Sequence, residues 1–501
     1  MRSPARFLAI VIALALLLPV CGFLTEAARA PSADIIVTAA PFYEPLAALR
    51  GGERFPLGAQ LLLVHDGKAE PLVTGFAATA DANVSFDGQT VLFAGKQSAA
   101  DPWQIWEFAL ATHSVRKVVA SQTDAIRPLY LPGNLPGGRM VYALRTLQGF
   151  QLENVRVNEL PASFASLDPL PAAVQLTYSP ASALPADVLA DGRILFESGF
   201  PLGAGATPEL YLVYSDGSGV ESYRCDHGKA RWGGRQVANG DVVFTHGGSL
   251  ARFTSPLAHE QPVNAPRAEY AGAIAEMASG EWLVSARSGA AAHYALRLWK
   301  PGAPALQTVL TLTGENLVEP VLVAPRTRPK RHPSALHPWN YANMLALDAR
   351  LSREGDLKKT PASVRLETMT ASGQTVLLGT APVEADGSFF VKTPADKPIR
   401  FALLDEKGAV MRQEHGWFWI RSGEQRICVG CHTGPERASE NRVAAVLLRS
   451  TTPADLTGAK DASAAQQGKP GSPRTGLRPG GGKPGSPRTD LHPVGGKPGG
   501  N

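Results

Sequence analysis

The sequence predicts a mainly β protein, in which a β-propeller is followed by a small sandwich-like β domain and one C-terminal helix. Short runs of β-branched and aromatic residues alternate with Asp-Gly, Asn-Gly and Gly-Gly turns from residue 33 to residue 326. Beyond residue 361, apolar residues recur at every second position, as in strands with one buried face. A Cys-x-x-Cys-His segment at 428–432 follows this second region.

The N-terminus is typical of a secretory signal peptide. Of the 501 residues, 44% are hydrophobic, which is enough for the cores of two or three domains. Arg2 and Arg6 precede an apolar run at 7–18 that is too short to span a membrane. We therefore expect a signal peptide at residues 1–30 and an exported protein, with the periplasm as its compartment.

The first cysteine, Cys21, allows a second interpretation of this leader. It stands where the lipidated cysteine of a lipoprotein would stand. Val20 before it is bulkier than the small residue that such a signal prefers, so ordinary cleavage between Gly22 and Ala30 is the favoured interpretation.

Residues 451–501 form a low-complexity tail, in which the segment 469–479 recurs at 483–493. A segment so rich in Gly and Pro cannot bury a core, and we expect it to be disordered. From Lys469 to Lys497 the tail has six basic residues and one acidic residue, which equals the whole net charge of +5, so the folded body is not basic and no nucleic-acid partner is expected. The tail could touch an anionic membrane surface weakly, although a solvated spacer is the simpler interpretation.

The propeller prediction, at 33–326, rests on five turns that each precede a strand. The clearest unit has the turn Asp87-Gly88 before the strand 91–94. Weaker copies follow at Gly137-Gly138, Asp191-Gly192, Asn239-Gly240 and Gly280. The spacing of roughly 40–55 residues fits four-stranded blades, and an N-terminal strand pair that closes the ring would give six blades, with seven as the alternative. The Ser-x-Asp-Gly turn resembles the repeat of TolB-like β-propellers.

A loop in the predicted propeller, 223–228, has the sequence Tyr-Arg-Cys-Asp-His-Gly. If the leader and the Cys-x-x-Cys-His segment take the other three cysteines, Cys225 is the odd cysteine of an exported protein. Cys225 and His227 are candidate catalytic or metal-ligating residues, and the alternative is a buried cysteine that packs as a small hydrophobe. His246, His259 and Glu260 in later loops could join them, although each alone is more typical of a surface residue.

A basic run at 326–331 ends the repeat, and residues 327–360 are predicted to be a linker that its charge keeps in solvent. Apolar alternation then predicts strands at 341–348, 362–369, 376–379, 388–392 and 399–404. Together they indicate a small antiparallel β domain at 361–427, with the fold of a sandwich. Residues 436–449 predict one helix, with Val443, Val446 and Leu447 on one face.

Cys428-Val429-Gly430-Cys431-His432 is the attachment sequence of c-type haem. Two thiols reach the two vinyl groups of one porphyrin, while the next residue offers its imidazole to the iron. Cys428 and Cys431 are therefore predicted to form thioethers, and His432 to be an axial ligand of the iron. A zinc knuckle or a redox cysteine pair is the alternative, but Cys431 is the last cysteine of the chain, so no second ligand pair follows it.

The second axial ligand has no obvious source after the motif. Every Met and Tyr precedes His432, and the only later histidine is His492 in the tail. Met411 or His415 would give a six-coordinate iron suited to electron transfer, whereas an open iron could bind or transform a small molecule. The aromatic run 417–419 and the propeller are the expected walls of the haem.

Three segments, 382–392, 399–408 and 422–432, resemble the stretch that leads into the first haem of the hydrazine synthase alpha family. With the preceding regions, the resemblance covers roughly residues 35–450. It implies a propeller that closes over the haem, with His432 and Cys225 near one site, and it allows for a zinc ion there.

Two departures limit what the resemblance implies. The family has a Tyr shortly after the haem motif that serves the iron, but residues 433–436 read Thr-Gly-Pro-Glu and no Tyr follows Tyr341. The sequence also has no second Cys-x-x-Cys-His segment. Because hydrazine synthesis needs electrons managed across several haems, we do not expect that activity.

Three functions stay open from the sequence. We favour an exported single-haem c-type protein in periplasmic electron transfer, with a redox partner that the sequence does not identify. A second function is that of a haem enzyme that acts on a small nitrogen compound at an open iron, with Cys225 and His227 completing the site. The third is a TolB-like binding scaffold in which the haem is structural.

Overall fold

The computed structural model describes residues 33–132, 139–156, 173–200, 207–224, 226, 228–352, 355–430 and 442–458. These residues belong to one compact unit that ends at Gly458. Four of the predicted site residues, Cys225, His227, Cys431 and His432, lie outside the described residues, as do the predicted signal peptide and residues 459–501.

The N-terminal region consists of successive antiparallel sheets, each built from neighbouring strands. The first contains β1 (Ile35–Ala40), β2 (Gln60–His65) and β3 (Lys68–Pro71), with a 3-10 turn at Ala48–Arg50. The second contains β4 (Ala78–Val84), β5 (Thr90–Lys96), β6 (Gln104–Ala109) and β7 (Ser114–Val119). The third contains β8 (Ala125–Leu131), β9 (Arg139–Thr146), β10 (Gly149–Arg156) and β11 (Val174–Gln175).

Three further sheets follow in the same order along the chain. The fourth contains β12 (Ala183–Val188), β13 (Ile194–Phe200), β14 (Thr207–Val213) and β15 (Glu221–Ser222). The fifth contains β16 (Arg231–Gln236), β17 (Val242–His246), β18 (Ser249–Phe253) and β19 (Gln261–Pro262). The sixth contains β20 (Glu269–Tyr270), β21 (Ala275–Glu276), β22 (Trp282–Arg287), β23 (Ala295–Trp299) and β24 (Gln307–Leu310).

The ring closes between the two ends of this region. Strand β25 (Asn316–Leu322) pairs antiparallel with β1, so that the last strand completes the first sheet. The mainly β fold class, with a propeller, is confirmed. The described residues contain six such sheets, whereas the blade number stays a prediction, because residues 157–172 and 201–206 lie outside the description.

Four of the five predicted turns lie where the sequence places them, and the fifth, Gly137-Gly138, lies outside the described residues. In the second sheet, the Ser85 hydroxyl donates to Asp87 over 2.6 Å and accepts the amide of Thr90 over 3.0 Å. Gly88 has a φ of +74°, a conformation that costs glycine little. The strand after each described turn is the second of its sheet, and its apolar side chains are buried, as those of Phe93 and Phe244 are.

Buried charges link the first four sheets of the propeller. Arg54 donates to Asp81 over 2.6 Å and pairs with Glu319. Arg127 donates to Glu197 over 2.9 Å and lies 3.8 Å from Glu319. Asp81, Arg127 and Glu319 have φ values of +60°, +52° and +56°. Each lies at a register shift of its strand, where a bulge re-aims the side chain.

The linker lies against the propeller. The amide of Lys330 donates to Ala190 over 2.9 Å, and the ring of His332 stacks on Tyr214 with centroids 3.7 Å apart. At Gly192, with a φ of +90°, a Cβ atom would lie 2.1 Å from the carbonyl oxygen of Lys330. The fourth sheet can accept the linker at this distance only because the residue is glycine.

The C-terminal β domain contains two four-stranded sheets. Its elements are β26 (Tyr341–Ala346), β27 (Ser363–Met369), β28 (Thr375–Pro382), β29 (Phe389–Pro394), β30 (Ile399–Leu404), β31 (Val410–Gln413), β32 (Gln425–Cys428), α1 (Ala445–Arg449) and β33 (Ala454–Asp455). One sheet has the order β32-β26-β29-β33 and the other β28-β27-β30-β31. They share one apolar core, which includes Phe389 and Phe401.

This domain differs from the expected antiparallel one in its strand directions. Strand β26 pairs with β32, and β29 with β33, in parallel. Parallel neighbours need long crossover connections, so turn signals in the sequence do not reveal them. Strand β26 lies within the predicted linker 327–360, and β33 lies within the predicted tail.

The predicted helix at 436–449 begins later than expected. Residues 442–444 are described and are not helical, so α1 covers only Ala445–Arg449, while 436–441 lie outside the described residues. Val446 is buried, but 62% of the surface of Val443 is exposed. The helix begins where the segment between β28 and β29 supplies hydrogen-bond acceptors for its first amides. Among the described residues, no helix is long and apolar enough to cross a membrane.

Candidate functional site

The first cysteine of the haem motif, Cys428, is the last residue of β32. Parallel pairing with β26 places it opposite Ala346, and the amide of Leu347 donates to its carbonyl oxygen over 2.9 Å. The side chain is half-buried and packs against the core between the two sheets. The sheet therefore fixes the start of the motif, whereas Cys431 and His432 lie outside the described residues.

The surroundings of Cys428 favour its neutral thiol. Burial raises the pKa of the Cys428 thiol above its ordinary value, and Arg426 opposes this rise. The carboxylates of Glu414, Glu424 and Glu221 add to it. The thiol is therefore protonated at neutral pH. Because Glu221 belongs to β15, the propeller contributes to the electrostatics of Cys428.

The segment before the motif is docked on the propeller. The indole of Trp419 donates to the carbonyl oxygen of Gly217 over 3.1 Å, and Arg421 Nε donates to the carbonyl oxygen of Asp216 over 3.1 Å. The side chain of Trp419 is only 2% exposed and belongs to an apolar cluster of the propeller that includes Phe196. The two domains are therefore joined immediately before the haem motif.

The aromatic run 417–419, expected to be a wall of the haem, divides between three environments. Trp419 packs against the propeller. Phe418 is half-buried and contacts both the propeller cluster and the core of the β domain. Trp417 lies under the guanidinium of Arg400, which is 4.6 Å from its ring centroid. The run thus serves chiefly to hold the domains together.

The propeller turn that receives Trp419 leads directly to the loop of Cys225. Gly217 lies between β14 and β15, and Glu221 in β15 acts on the thiol of Cys428. Cys225 follows Glu221 by four residues in the sequence. The strand before the Cys225 loop therefore lies within electrostatic range of Cys428, while Cys225 itself lies outside the described residues.

The flanking residues of Cys225 and His227 are firmly held. Asp226 accepts two hydrogen bonds from Arg231, of 2.6 and 2.7 Å, and the amide of Gly228 donates to Glu209 over 2.8 Å. Burial alone would raise the pKa of Asp226, but the hydrogen bonds from Arg231 hold it below its ordinary value. Asp226 is therefore an anion at neutral pH and a fixed anchor of the loop.

Arg231 connects this anchor to a second carboxylate. Its side chain is only 4% exposed, and its guanidinium lies 5.0 Å from the ring centroid of Phe253. It also donates to Glu260 over 2.8 Å, and Glu260 contacts the ring of His246 at 2.5 Å. Arg231 thus bridges Asp226 and Glu260 in a buried network, as cations with planar donors often do.

The three later residues that the sequence suggested as companions of Cys225 are found around its loop. Glu260 and His246 belong to the Arg231 network, while Nδ1 of His259 is 3.4 Å from a guanidinium nitrogen of Arg224. In the part of the chain that the structure describes, no three His, Cys, Asp or Glu side chains are grouped so as to hold a metal ion. Zinc stays a prediction.

Met411 and His415, the candidate second iron ligands, lie upstream of Cys428. Met411 is half-buried in β31, and His415 is exposed just beyond that strand. The carboxylate of Glu414 raises the pKa of the Cys428 thiol, so the segment next to His415 lies within electrostatic range of the motif. Either residue stays a candidate.

Sequence reasoning missed Arg231 and Glu221. Arg231 is one arginine among many, and only the fold brings it between Asp226 and Glu260. Glu221 lies in the short outer strand β15. Its carboxylate acts on the Cys428 thiol only because the C-terminal β domain docks on the propeller. Neither position carries a local signal in the sequence, since both depend on contacts between distant segments.

Comparison with known proteins shows that the chain is similar to hydrazine synthase alpha subunits. Residues 347–433 match the family model described as the hydrazine synthase alpha subunit middle domain. Hydrazine synthase subunit alpha of Kuenenia stuttgartiensis is 37% identical over 68 residues, which are 14% of this chain and 8% of that protein. The chain is hydrazine synthase alpha-like. The family resemblance expected from the sequence is thereby confirmed.

The fold of this alpha-like chain agrees with that relationship. A solved hydrazine synthase structure from Kuenenia stuttgartiensis superposes with a TM-score of 0.72 at 16% identity, covering 84% of this chain and 72% of that one. At this identity the likeness concerns the fold alone. TolB from Acinetobacter baumannii aligns with a TM-score of 0.39 at 13% identity, covering 60% of this chain and 67% of that one, a score too low to carry an argument.

Proposed function

We propose that the alpha-like chain is an exported single-haem c-type protein that transfers electrons in the periplasm. Cys428 and Cys431 would form the thioethers, and His432 would ligate the iron. The observation that carries this proposal is the match to the alpha middle domain, which extends through all three residues to residue 433. A bound c-type haem supplies a one-electron iron couple.

The described residues around the motif fit a haem. Cys428 has no disulfide partner among the described residues, and burial raises the pKa of its thiol, which is therefore protonated at neutral pH. Ile427 next to it, and Val443 and Leu448 around α1, have 66%, 62% and 74% of their surface exposed. Exposed apolar side chains mark surface that an apolar group can cover. We propose that the porphyrin covers part of this surface.

The proposed compartment follows from the predicted signal peptide and from the relationship to hydrazine synthase. Thioether attachment of haem is expected on the oxidising side of a bacterial membrane, which agrees with export. Anchoring through a lipidated Cys21 is the less favoured alternative. We propose no hydrazine synthase activity, because the sequence holds a single Cys-x-x-Cys-His segment.

Absorption and EPR spectra of the full chain, produced in a host with haem c maturation, test the proposed function. Electron transfer with two protein ligands predicts a low-spin iron that is unchanged by carbon monoxide. Replacing the true second ligand, in Met411→Ala or His415→Ala, should then open the iron to carbon monoxide. A high-spin spectrum in the unchanged protein that shifts with carbon monoxide would contradict electron transfer and favour the second candidate.

A haem enzyme that acts on a small nitrogen compound is this second candidate, and the network at the Cys225 loop favours it. A buried Arg231 that fixes Asp226 between Cys225 and His227 is an arrangement that could hold two reactive side chains at a site. In this second candidate function, a zinc ion or the thiol of Cys225 would lie beside the iron. A binding scaffold with a structural haem is the third function, and no contact of the described residues favours it over the others.

Hydroxylamine binding separates the second candidate from the first. If Cys225 and His227 complete an open-iron site, Cys225→Ser or His227→Ala should weaken the hydroxylamine-induced spectral change at least about tenfold. His293→Ala is the control, because His293 is an exposed histidine of the propeller just before β23 and is no candidate for this site. Equal titrations for all variants would remove Cys225 and His227 from the site.

A further inference from the structure

The start of the haem-attachment segment is fixed by the residues after β26. The amide of Leu347 donates to the carbonyl oxygen of Cys428 over 2.9 Å, and the amide of Asp348 donates to that of Val429 over 3.1 Å. These bonds continue the parallel pairing of β26 and β32 into the motif. The chain therefore leaves the sheet at a defined position, between the first haem cysteine and the residues that follow.

The end of the segment is fixed by a turn in another part of the chain. Residue Ala444, which precedes α1, has no side chain that can accept a hydrogen bond. Instead, the Asp386 carboxylate accepts the amide of Ala445 over 2.8 Å, and the Ser388 hydroxyl accepts the amide of Val446 over 3.1 Å. A turn between β28 and β29 thus caps a helix from a distance, with the residue types that usually cap helices.

The charges at this turn strengthen the cap. Ser388 donates to Asp386 over 2.6 Å, and Arg442 pairs with the same carboxylate just before α1. Burial alone would raise the pKa of Asp386, but the hydrogen bonds from Ser388, Ala445 and Arg442 lower it to about 2. Asp386 is therefore charged at all pH values in which the protein would work.

One arginine joins the two fixation points. Arg350 donates to both carboxylate oxygens of Asp348, over 2.8 and 2.7 Å, and to the carbonyl oxygen of Asp386 over 3.2 Å. The amide of Ala349 donates to the carbonyl oxygen of Gly387 over 2.8 Å. A Cβ atom at Gly387, with a φ of +84°, would lie 2.2 Å from the Asp348 carboxylate. The start and the end of the segment are thus held on one rigid support.

We propose that Asp386 is the positioning residue of the haem-attachment peptide. Through its bonds to Ala445 and Arg442, it holds the chain that follows the motif, at residues 442–446, on the same support that holds Cys428 and Val429. Fixing both ends before haem binds lowers the entropy lost on ordering the attachment residues. This inference deepens the proposed function and rests on it for the role of the motif.

Hydrogen exchange of the haem-free full chain tests the anchor without depending on haem. Asp386→Ala removes the acceptor of the Ala445 amide and the partner of Arg442, so exchange at 445–446 should accelerate about tenfold. Tryptic cleavage after Arg442 should accelerate as well, because Arg442 would lose its pairing with Asp386. Asp386→Asn keeps a carbonyl acceptor but loses the charge, and should fall between Asp386→Ala and the unchanged protein.

Asp405→Ala is the matched control. Asp405 accepts the amides of Lys407 and Ala409 over 2.9 and 2.8 Å, and its hydrogen bonds to described residues stay within its own turn. Its loss should leave exchange at 445–446 unchanged. A second variant, Ser388→Ala, removes the acceptor of the Val446 amide together with the hydrogen bond from Ser388 to Asp386, so it should expose the Val446 amide more than the Ala445 amide. Unchanged exchange in both Asp386 variants would overturn the proposal.

The haem-loaded chain separates positioning from mere stabilisation. If Asp386 positions the peptide, Asp386→Asn should shift the reduction potential of the haem, while Asp405→Asn should not. A variant that only unfolds at lower temperature, with the potential and the 445–446 exchange of the unchanged protein, would contradict positioning. If no haem attaches to any chain, the proposed function fails, and the exchange experiment still decides whether Asp386 anchors the segment.

Discussion

Arg231 is the residue on which the Cys225 loop depends most. It is almost fully buried and bridges Asp226 and Glu260, so its removal would take the buried cation from both carboxylates. We expect Arg231→Met to lower the free energy of unfolding by about 3–5 kcal/mol, as measured by urea denaturation of the propeller. Lys229→Met is the control, because Lys229 pairs with the same Asp226 from an exposed position and should cost at most about 1 kcal/mol.

A similar loss in both variants would show that Asp226 needs no buried partner. At the scale of single residues, Cys428 and Cys225 could be predicted as site residues from the sequence. Cys428 belongs to a short motif, and Cys225 is the odd cysteine in the count. Arg231 and Asp386 could not be predicted as structural partners. Their roles arise from hydrogen bonds across 5 to 59 residues, which no turn or periodicity signal encodes.

At the scale of elements, the turn at Gly192 shows how the linker is held on the propeller. Gly192→Ala should force the Cβ atom against the carbonyl oxygen of Lys330 and displace the linker. Gly240→Ala is closely matched, since its φ of +93° is similar but nothing lies within 4 Å of its Cβ position. Both variants should lose about 1 kcal/mol from backbone strain.

Gly192→Ala should lose about 1–3 kcal/mol more, because overpacking adds to the strain. Urea denaturation gives both values, and hydrogen exchange at Lys330 reports whether the linker is released. Equal losses for the two variants would mean that the linker contact does not constrain the turn. The Asp-Gly turns were predictable because their chemistry is local. The parallel pairing of β26 with β32 was not, because a long crossover separates the two strands.

At the scale of the whole molecule, the buried charges around Glu319 tie the closing strand to the ring. Burial alone would raise the pKa of Glu319, but Arg54 and Arg127 together hold it below its ordinary value. A carboxylate with a lowered pKa stabilises the fold fully above the pKa of the unfolded chain, about 4.3, and loses this contribution as the pH falls. The propeller should therefore weaken progressively below about pH 4.5.

Glu319→Gln tests this pH dependence. At pH 7 the variant should lose about 3 kcal/mol, since Arg54 and Arg127 lose a charged partner. Between pH 5 and pH 3 its free energy of unfolding should fall less steeply than that of the unchanged protein. Glu406→Gln, in an exposed turn, serves as the control. Equal slopes for Glu319→Gln and the unchanged protein would contradict the role of Glu319.

The propeller class and the presence of a second β domain followed from repeated local signals. The docking of the two domains did not, because Trp419 and Gly217 are separated by 202 residues. This docking brings the strand before the Cys225 loop close to Cys428. A haem attached at the Cys-x-x-Cys-His segment would decide whether the Cys225 loop and Cys428 act at one site.

The most direct test of the account is the mass and the reduced absorption spectrum of the full chain, purified from a host with haem c maturation. The account predicts one covalently bound haem that survives denaturation, and its loss in a Cys428→Ala, Cys431→Ala double variant. A folded, unchanged chain from the same host that carries no covalent haem would contradict the central claim and leave a propeller scaffold.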